Sequence, residues 1–357
     1  MITDMALFAS ATATVAGAKK ERPISSTWLN LLMAFSAVAG IVMSAVMQTG
    51  GFTQLQASAR SGLEAVKIPV AFFQGGASSP VMSGECLLQF FGLRKELYFV
   101  HIMTSILPAL LCAILAAAKG FWLAVVVTIN VFLPRFVAAF GKYLVSFRVR
   151  PADMPGGELH MDFLPDFLGS QPMAVAIISA TIACCFLVAV GCWTYVVMAR
   201  KQPVQPHVAY LMCAYKPEYA FWEVERLVRK MLIALLTTMI PVTVSPALQM
   251  ASISLVLITS LTLYIFYQPY QVSFWNVAEQ WLLIVALVMM VLTSYLISND
   301  LHWARSSASQ QMLIFLICGM AGGVCMVMMF LFARAFYTER FGASEEVVTK
   351  RARSTSA

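Results

Sequence analysis

Long stretches without a charged residue recur along this chain, and most are close to the roughly 20 residues that cross the hydrocarbon core of a bilayer. A backbone in hydrocarbon must satisfy its own amide groups, so such stretches predict helices. We therefore expect an all-α fold, a polytopic transmembrane helical bundle of about eight spans within residues 27–335. The candidate spans are 27–47, 97–118, 121–143, 172–199, 231–246, 247–267, 277–298 and 312–333.

The segments between the spans are short, so no large soluble domain is expected. The longest, 48–96, is predicted to be an outer loop or a small cap, and residues 52–66 predict a short amphipathic helix that stops before Pro69. Residues 336–357 form a basic tail. Residues 1–26 are rich in Ala, Ser and Thr, and a cytosolic tail and a transit peptide both remain open for them.

Composition agrees with a membrane protein and gives an orientation. The chain is 60% hydrophobic and 11% charged, whereas soluble domains carry about 25% charged residues. With the N-terminus in the cytosol, 15 of the 24 Lys and Arg residues fall on the inner side and 8 on the outer side. This bias predicts that both termini are cytosolic. It also accounts for the net charge of +7 without a nucleic-acid partner.

The expected partner is the lipid bilayer, with further copies of the chain or other membrane subunits as open alternatives. Small residues at helical spacing allow close approach of spans, as in Ser36, Gly40 and Ser44 or in Gly319 and Gly323. They favour a tight bundle more than they indicate self-association.

The inner segment 200–230 has the pattern of a cytosolic linker followed by an amphipathic helix before the fifth span. Pro217 suits a first helical turn, and Glu218 suits its positive end. We expect the aromatic side chains at headgroup level and the basic ones extended toward the cytosol. A gating linker and a plain membrane anchor are both compatible with this pattern. The candidate interfacial residues are Tyr215, Trp222, Glu223, Arg226, Arg229 and Lys230.

Two groups of polar residues fall inside predicted spans. Arg135 interrupts the third span, where a charge at the helix centre costs about 3 kcal/mol. Either it lines a hydrated cleft with Asn130, one turn earlier, or the helix ends beside Pro134 and Arg135 lies at the interface. Asn276 and Glu279 open the seventh span. They either border an ion entrance or serve structure, with Glu279 meeting a base of the 226–230 segment.

A set of motifs follows residue 209: Tyr210-Leu211, Tyr215-Lys216-Pro217-Glu218-Tyr219, Trp222-Glu223, Arg229-Lys230, Gln249, Gln268-Pro269-Tyr270 and Asn276. With these motifs, about residues 83–297 of the chain resemble a known group, the transient-receptor-potential-like C-terminal membrane region of large proteins in microbial eukaryotes. The resemblance implies cation permeation or its regulation. The links at 243–247 and 297–310 are too short for a pore helix with a filter, so a non-conducting anchoring or scaffold subunit is the alternative.

Signatures of catalysis are missing from the sequence. It has no GxSxG, HExxH, P-loop or Rossmann pattern. The histidines lie far apart, and no CxxC or Cys/His spacing indicates a metal site. We therefore expect no enzymatic activity, no catalytic or metal-binding residues and no cofactor.

Overall fold

The computed structural model is mainly helical. Its helices are α1 (Ile24–Met47), α2 (59–66), α3 (Trp222–Met239), α4 (Pro246–Tyr267), α5 (Ser273–Ile297) and α6 (Ser307–Tyr337). A two-stranded antiparallel ribbon joins β1 (Phe147–Arg148) to β2 (Leu159–His160), with Phe147 opposite His160. The structure describes residues 24–47, 55, 59–66, 137, 147–148, 159–160, 214–240, 245–297, 307–339 and scattered positions between 180 and 198.

Four of the described helices are long and apolar enough to cross a membrane. Each coincides with a predicted span, namely 27–47, 247–267, 277–298 or 312–333, and the chain is thus a helical integral membrane protein. The predicted spans 97–118 and 121–143, most of 172–199, and the tails lie outside the described residues. The four helices are Thr27–Met47, Pro246–Tyr267, Ser273–Ile297 and Ala308–Tyr337.

The structure differs from the prediction at the fifth span. Instead of an interfacial helix followed by a span at 231–246, a single helix, α3, covers Trp222–Met239. It ends because Ile240 precedes Pro241, and a residue before proline avoids the helical conformation. The predicted interfacial helix and the described part of the predicted span are therefore one continuous helix.

Helix α3 lies antiparallel against α4 along its length. Near one end the Trp222 ring packs edge-on against Tyr264, with 5.4 Å between ring centroids. Near the other end the Gln249 side chain donates to the Thr237 carbonyl at 3.2 Å. Helix α3 thus stands beside a span instead of lying flat on the surface. Gln268, in the left-handed conformation with φ 42°, ends α4 and turns the chain toward α5.

The other side of the bundle is formed by α1, α5 and α6, which pack on one another. The backbone N–H of Ser25 donates to the Glu339 carboxylate at 3.1 Å, so α6 ends where α1 begins. Trp28 packs edge-on against Trp275 at 4.9 Å, which places the start of α5 at the same end. The start of α1, the start of α5 and the end of α6 thus lie at one end of the bundle.

Helix α2 falls within the predicted amphipathic helix and reaches its expected last residue, Val66. Leu55 lies in a bend, so the helix starts later than residue 52. Leu55 and Leu63 are buried in the main apolar core, and Val66 packs against it. Helix α2 thus packs against the bundle. Most of segment 48–96, the predicted outer loop or cap, lies outside the described residues.

Candidate functional site

The candidate site begins where the linker before α3 meets the turn between α4 and α5. The Lys216 N–H donates to the Pro269 carbonyl at 2.8 Å, and the Gln271 N–H donates to the Ala214 carbonyl at 3.2 Å. These bonds form an isolated antiparallel bridge between Tyr215 and Tyr270. The two tyrosine rings lie 5.0 Å apart. The cytosolic linker of the prediction is therefore fixed directly to the α4–α5 turn.

Charged side chains of α3 and α5 meet beneath this bridge. Arg229 Nη2 donates to Glu279 Oε1 at 2.6 Å. Arg226 Nη2 lies 4.0 Å from the other oxygen of Glu279, which also accepts a bond from the Tyr270 hydroxyl at 3.2 Å. The carboxylate of Glu279 thus joins both arginines of α3 to the α4–α5 turn.

The same arginines have acidic partners within α3. The Tyr215 hydroxyl donates to Glu223 Oε2 at 2.7 Å, and Arg226 Nη1 lies 3.7 Å from that oxygen. Arg229 Nε lies 3.9 Å from Glu225 Oε1. The Ser260 hydroxyl of α4 donates to that same Glu225 oxygen at 2.7 Å. We call this group the ion-pair cluster, and its members are Tyr215, Glu223, Glu225, Arg226, Arg229, Ser260, Tyr264, Tyr270 and Glu279.

Most of these charges are removed from solvent by the protein itself. Glu223 and Arg226 are each 1% exposed, Glu279 is 3% exposed and Arg229 is 5% exposed. Burying a charge carries a penalty of several kcal/mol, which is offset only by close partners. Burial lowers the pKa of the Arg229 guanidinium, but Glu225 and Glu279 raise it by more, so its net pKa is above the ordinary value. The arginines stay charged at every physiological pH.

Aromatic rings form one wall of the cluster. The Arg229 guanidinium carbon lies 5.5 Å from the centre of the Tyr264 ring, which is within the range of a cation–π contact. Five buried polar atoms in this region lack a hydrogen-bond partner: Arg226 Nε and Nη2, Arg229 Nη1, Glu225 Oε2 and the Tyr264 hydroxyl. The cluster is therefore well paired in charge and incompletely paired in hydrogen bonds.

Asn276 holds the turn on which the cluster depends. Its side-chain oxygen accepts from the Tyr270 N–H at 3.0 Å, and its side-chain nitrogen donates to the Tyr270 carbonyl at 3.2 Å. The side-chain amide of Asn276 thus provides hydrogen-bond partners for both the N–H and the carbonyl of the buried Tyr270. Asn276 is thus placed as a structural clamp one turn before Glu279.

The structure tests several sequence-based expectations about this region. The predicted contact of Glu279 with a base of segment 226–230 is present. The expectation that the bases extend toward the cytosol is wrong for Arg226 and Arg229, whereas the depth of Trp222 in the membrane stays a prediction; all three side chains face the protein interior. They are buried because α3 packs against α4 and α5. Lys230 is half-buried.

Other expectations stay predictions or were incomplete. Asn130 and Arg135 lie outside the described residues, so their role in the third span stays a prediction.

Sequence reasoning missed Ser260 and Tyr264 in α4. They are four residues apart and therefore share one helix face, the face that packs against α3. That spacing of four was the available signal, although α4 contains other hydroxyl residues, such as Thr259 and Thr262. Among the residues that the structure describes, no group of His, Cys, Asp and Glu is arranged to hold a metal ion.

Comparison of the chain with protein-family models, with curated proteins and with solved structures finds no match.

Proposed function

We propose that this membrane protein carries or regulates the movement of cations across the bilayer, with the linker at 214–221 coupled to the spans through the ion-pair cluster. The observation that supports this most is convergence in space. The sequence motifs at 215–230 and 268–276, which carry the resemblance to the transient-receptor-potential-like group, meet at the cluster. They join a linker that is predicted to face the cytosol to the spans α4 and α5.

The bonding pattern gives the coupling a physical basis. Moving Tyr215 away from the α4–α5 turn breaks the Lys216–Pro269 bond and the bond from Tyr215 to Glu223. Separating α3 from α5 leaves Glu279 without its two arginines in a buried place, at a penalty of about 3 to 5 kcal/mol. A force on the linker is therefore passed to α4 and α5 before these contacts separate.

A non-conducting anchor or scaffold subunit is the second candidate. It is favoured by the exposed apolar side chains on the outer faces of α4, α5 and α6, such as Phe266, Trp281 and Phe330. These faces suit lipid, further copies of the chain or other membrane subunits. The arginines and carboxylates of the cluster bind one another, which also fits a purely structural role. Neither candidate includes a catalytic step or a cofactor.

Reconstitution of the full chain into liposomes decides between the two. We expect cation flux above that of empty liposomes for at least one of K⁺, Na⁺ and Ca²⁺, and single-channel currents in planar bilayers. Tyr215→Phe, which removes one coupling bond, is expected to change the flux or the open probability at unchanged protein content. Tyr267→Phe is the matched control. Silence for all three ions at every voltage, with membrane proteins that copurify stably, overturns conduction and supports the scaffold.

A further inference from the structure

Helix α3 lies level with the membrane span formed by α4. Trp222 contacts Tyr264 near one end of the helix pair, and Thr237 contacts Gln249 near the other. The same number of residues separates the two contacts in each helix, so both helices rise about 22 Å between them. The two α4 residues lie within the candidate span Pro246–Tyr267, whose rise of about 33 Å is close to the roughly 30 Å of a hydrocarbon core. The charged part of α3 is therefore at the depth of the hydrocarbon layer that α4 crosses.

The exposed side of α3 is apolar. Its large exposed side chains are Phe221, Leu232 and Met239, which are 54%, 42% and 38% exposed. Their spacing places them on one face of the helix, which we call the outer face of α3. Glu225 lies beside this face, yet its side chain is only 15% exposed and its carboxylate accepts a bond from the Ser260 hydroxyl of α4. The outer face thus presents apolar groups to its surroundings.

The other charged residues that bind within the cluster lie away from the outer face. Glu223 and Arg226 are on roughly the opposite side of the helix, and both are buried. Arg229, on the flank, bonds to Glu279 of α5. A helix on the surface of a soluble protein has the reverse arrangement, with apolar residues inside and charged residues toward water. Charges that are paired inside and apolar residues that point outward suit a helix surrounded by hydrocarbon.

We propose that the outer face of α3 is an interaction surface for lipid acyl chains, and that the ion-pair cluster consequently lies within the thickness of the hydrocarbon layer. The neighbouring span supports this occupant, because Leu255 and Ile258 of α4 lie at the same depth and are also exposed and apolar. A second copy of the chain and water are the other possible occupants, and the test distinguishes them from lipid. The inference goes beyond the proposed function, since it applies equally to a transporting protein and to a scaffold subunit.

Photo-crosslinking from lipid tests the surface in the unmodified chain. The full chain is placed in liposomes of phosphatidylcholine that carries a diazirine at the end of one acyl chain, and labelled residues are found by mass spectrometry. Leu255 is the reference for a lipid-facing residue at nearly the same depth as Leu232. Leu227 of α3, which is 0% exposed, is the control for the inner side of the same helix. We expect labelling of Leu232 within threefold of Leu255 and at least tenfold above Leu227.

Each other pattern of labelling overturns the proposal. A labelled Leu255 beside an unlabelled Leu232 would mean that water or protein covers the outer face. Labelling of Leu232 that appears only when the protein is strongly diluted in lipid would mean that a second copy covers it. Absence of label from both would mean that α4 does not lie at this depth. None of these results depends on the flux measurement, because crosslinking reports contact and not transport.

Access from water provides an independent test. Leu232→Cys is compared with Glu218→Cys, whose side chain is exposed and precedes α3. Both variants are treated in liposomes with a membrane-impermeant cationic methanethiosulfonate on both sides of the membrane, and mass spectrometry of the peptide with the new cysteine excludes the native thiols. We expect Leu232→Cys to react at least tenfold more slowly than Glu218→Cys, with equal reaction after denaturation. Equal rates in the intact liposomes would place the outer face in water and contradict the proposal.

Discussion

Two Arg–Glu pairs in this protein have similar distances and opposite surroundings. In the ion-pair cluster, Arg229 and Glu279 approach to 2.6 Å and their side chains are 5% and 4% exposed. In α2, Arg60 and Glu64 approach to 3.2 Å and their side chains are 48% and 54% exposed. The first pair joins two helices, whereas the second lies within one turn of a single helix. The comparison separates a buried pair that connects two helices from an exposed pair on the surface of one helix.

The energetic consequences of the two surroundings differ. An exposed pair at i,i+4 is worth at most about 0.5 kcal/mol, because water solvates each partner when the other is removed. A buried pair is different, since removing one partner leaves the other as an uncompensated charge. The five unpartnered polar atoms around the cluster show that there is little spare hydrogen bonding to stabilise such a charge.

The largest expected effect separates the two pairs directly. Arg229→Met should lower the free energy of unfolding by about 3 to 5 kcal/mol, since it leaves Glu279 buried and short of a positive partner. Arg60→Met, the matched control, should change it by less than about 1 kcal/mol. Denaturation by SDS in bicelles, followed by tryptophan fluorescence, measures both. Equal losses would mean that the cluster does not hold α3 to α5.

The next effect tests whether the α4–α5 turn depends on its clamp. Asn276→Ala leaves the N–H and the carbonyl of Tyr270 buried without partners, which should cost about 3 kcal/mol. Thr262→Ala is the control, because the Thr262 hydroxyl is exposed and bonds only its own helix. The same SDS titration applies. A loss below about 0.5 kcal/mol for Asn276→Ala would show that water replaces the clamp.

The sequence predicted the described spans and one contact of the cluster, and it did so for identifiable reasons. The spans followed from uncharged runs whose length matches a bilayer, a property of each segment alone. The Arg229–Glu279 contact followed because both charges had to lie at the same end of neighbouring spans. Both predictions use only the membrane, which limits the depth at which a charged or an apolar residue can lie. Neither requires knowledge of how the helices pack.

The depth of the charges could not be predicted in the same way. The residues around Arg226 and Arg229 have the pattern of a surface helix, yet α3 stands against α4 because Ser260 and Tyr264 offer it partners. Likewise, nothing local to residues 59–66 places them at the centre of α6, where a methyl group added at Gly322 would lie 2.7 Å from Val66 Cγ1. That placement depends on the missing side chain at Gly322. Both surprises are tertiary contacts between residues far apart in sequence.

A coupling measurement sharpens the comparison. Combining Arg229→Met with Glu279→Gln removes both charges, so the double variant should lose about 2 kcal/mol less than the sum of the single changes. Exchanging the charges instead should restore little, because Glu225 would face the new acid and Arg226 the new base. Arg229→Met combined with Glu64→Gln should be additive within about 0.5 kcal/mol. Additivity in both combinations would contradict a direct interaction between Arg229 and Glu279.

The smallest expected effect is at the hydroxyl that ties the linker to the cluster. Tyr215→Phe keeps the ring against Tyr270 but removes the hydroxyl that donates to Glu223 and accepts from Arg226 Nη1 at 3.4 Å, which should cost about 1 to 2 kcal/mol. Tyr267→Phe is the matched control. Tyr267 is 46% exposed and its ring packs beside Trp222, so the loss of its hydroxyl should cost less than about 0.5 kcal/mol.

The two tyrosine variants also distinguish a mechanical role from a purely stabilising one. If Tyr215 connects the linker to the spans, Tyr215→Phe should raise the hydrogen-exchange rate of the Lys216 amide, which bonds to Pro269, more than that of amides within α5. A uniform increase across α4 and α5 would mean that the hydroxyl stabilises the bundle as a whole. In that case the linker would leave the α4–α5 turn only when the helices themselves separate. This is the behaviour expected of an anchor.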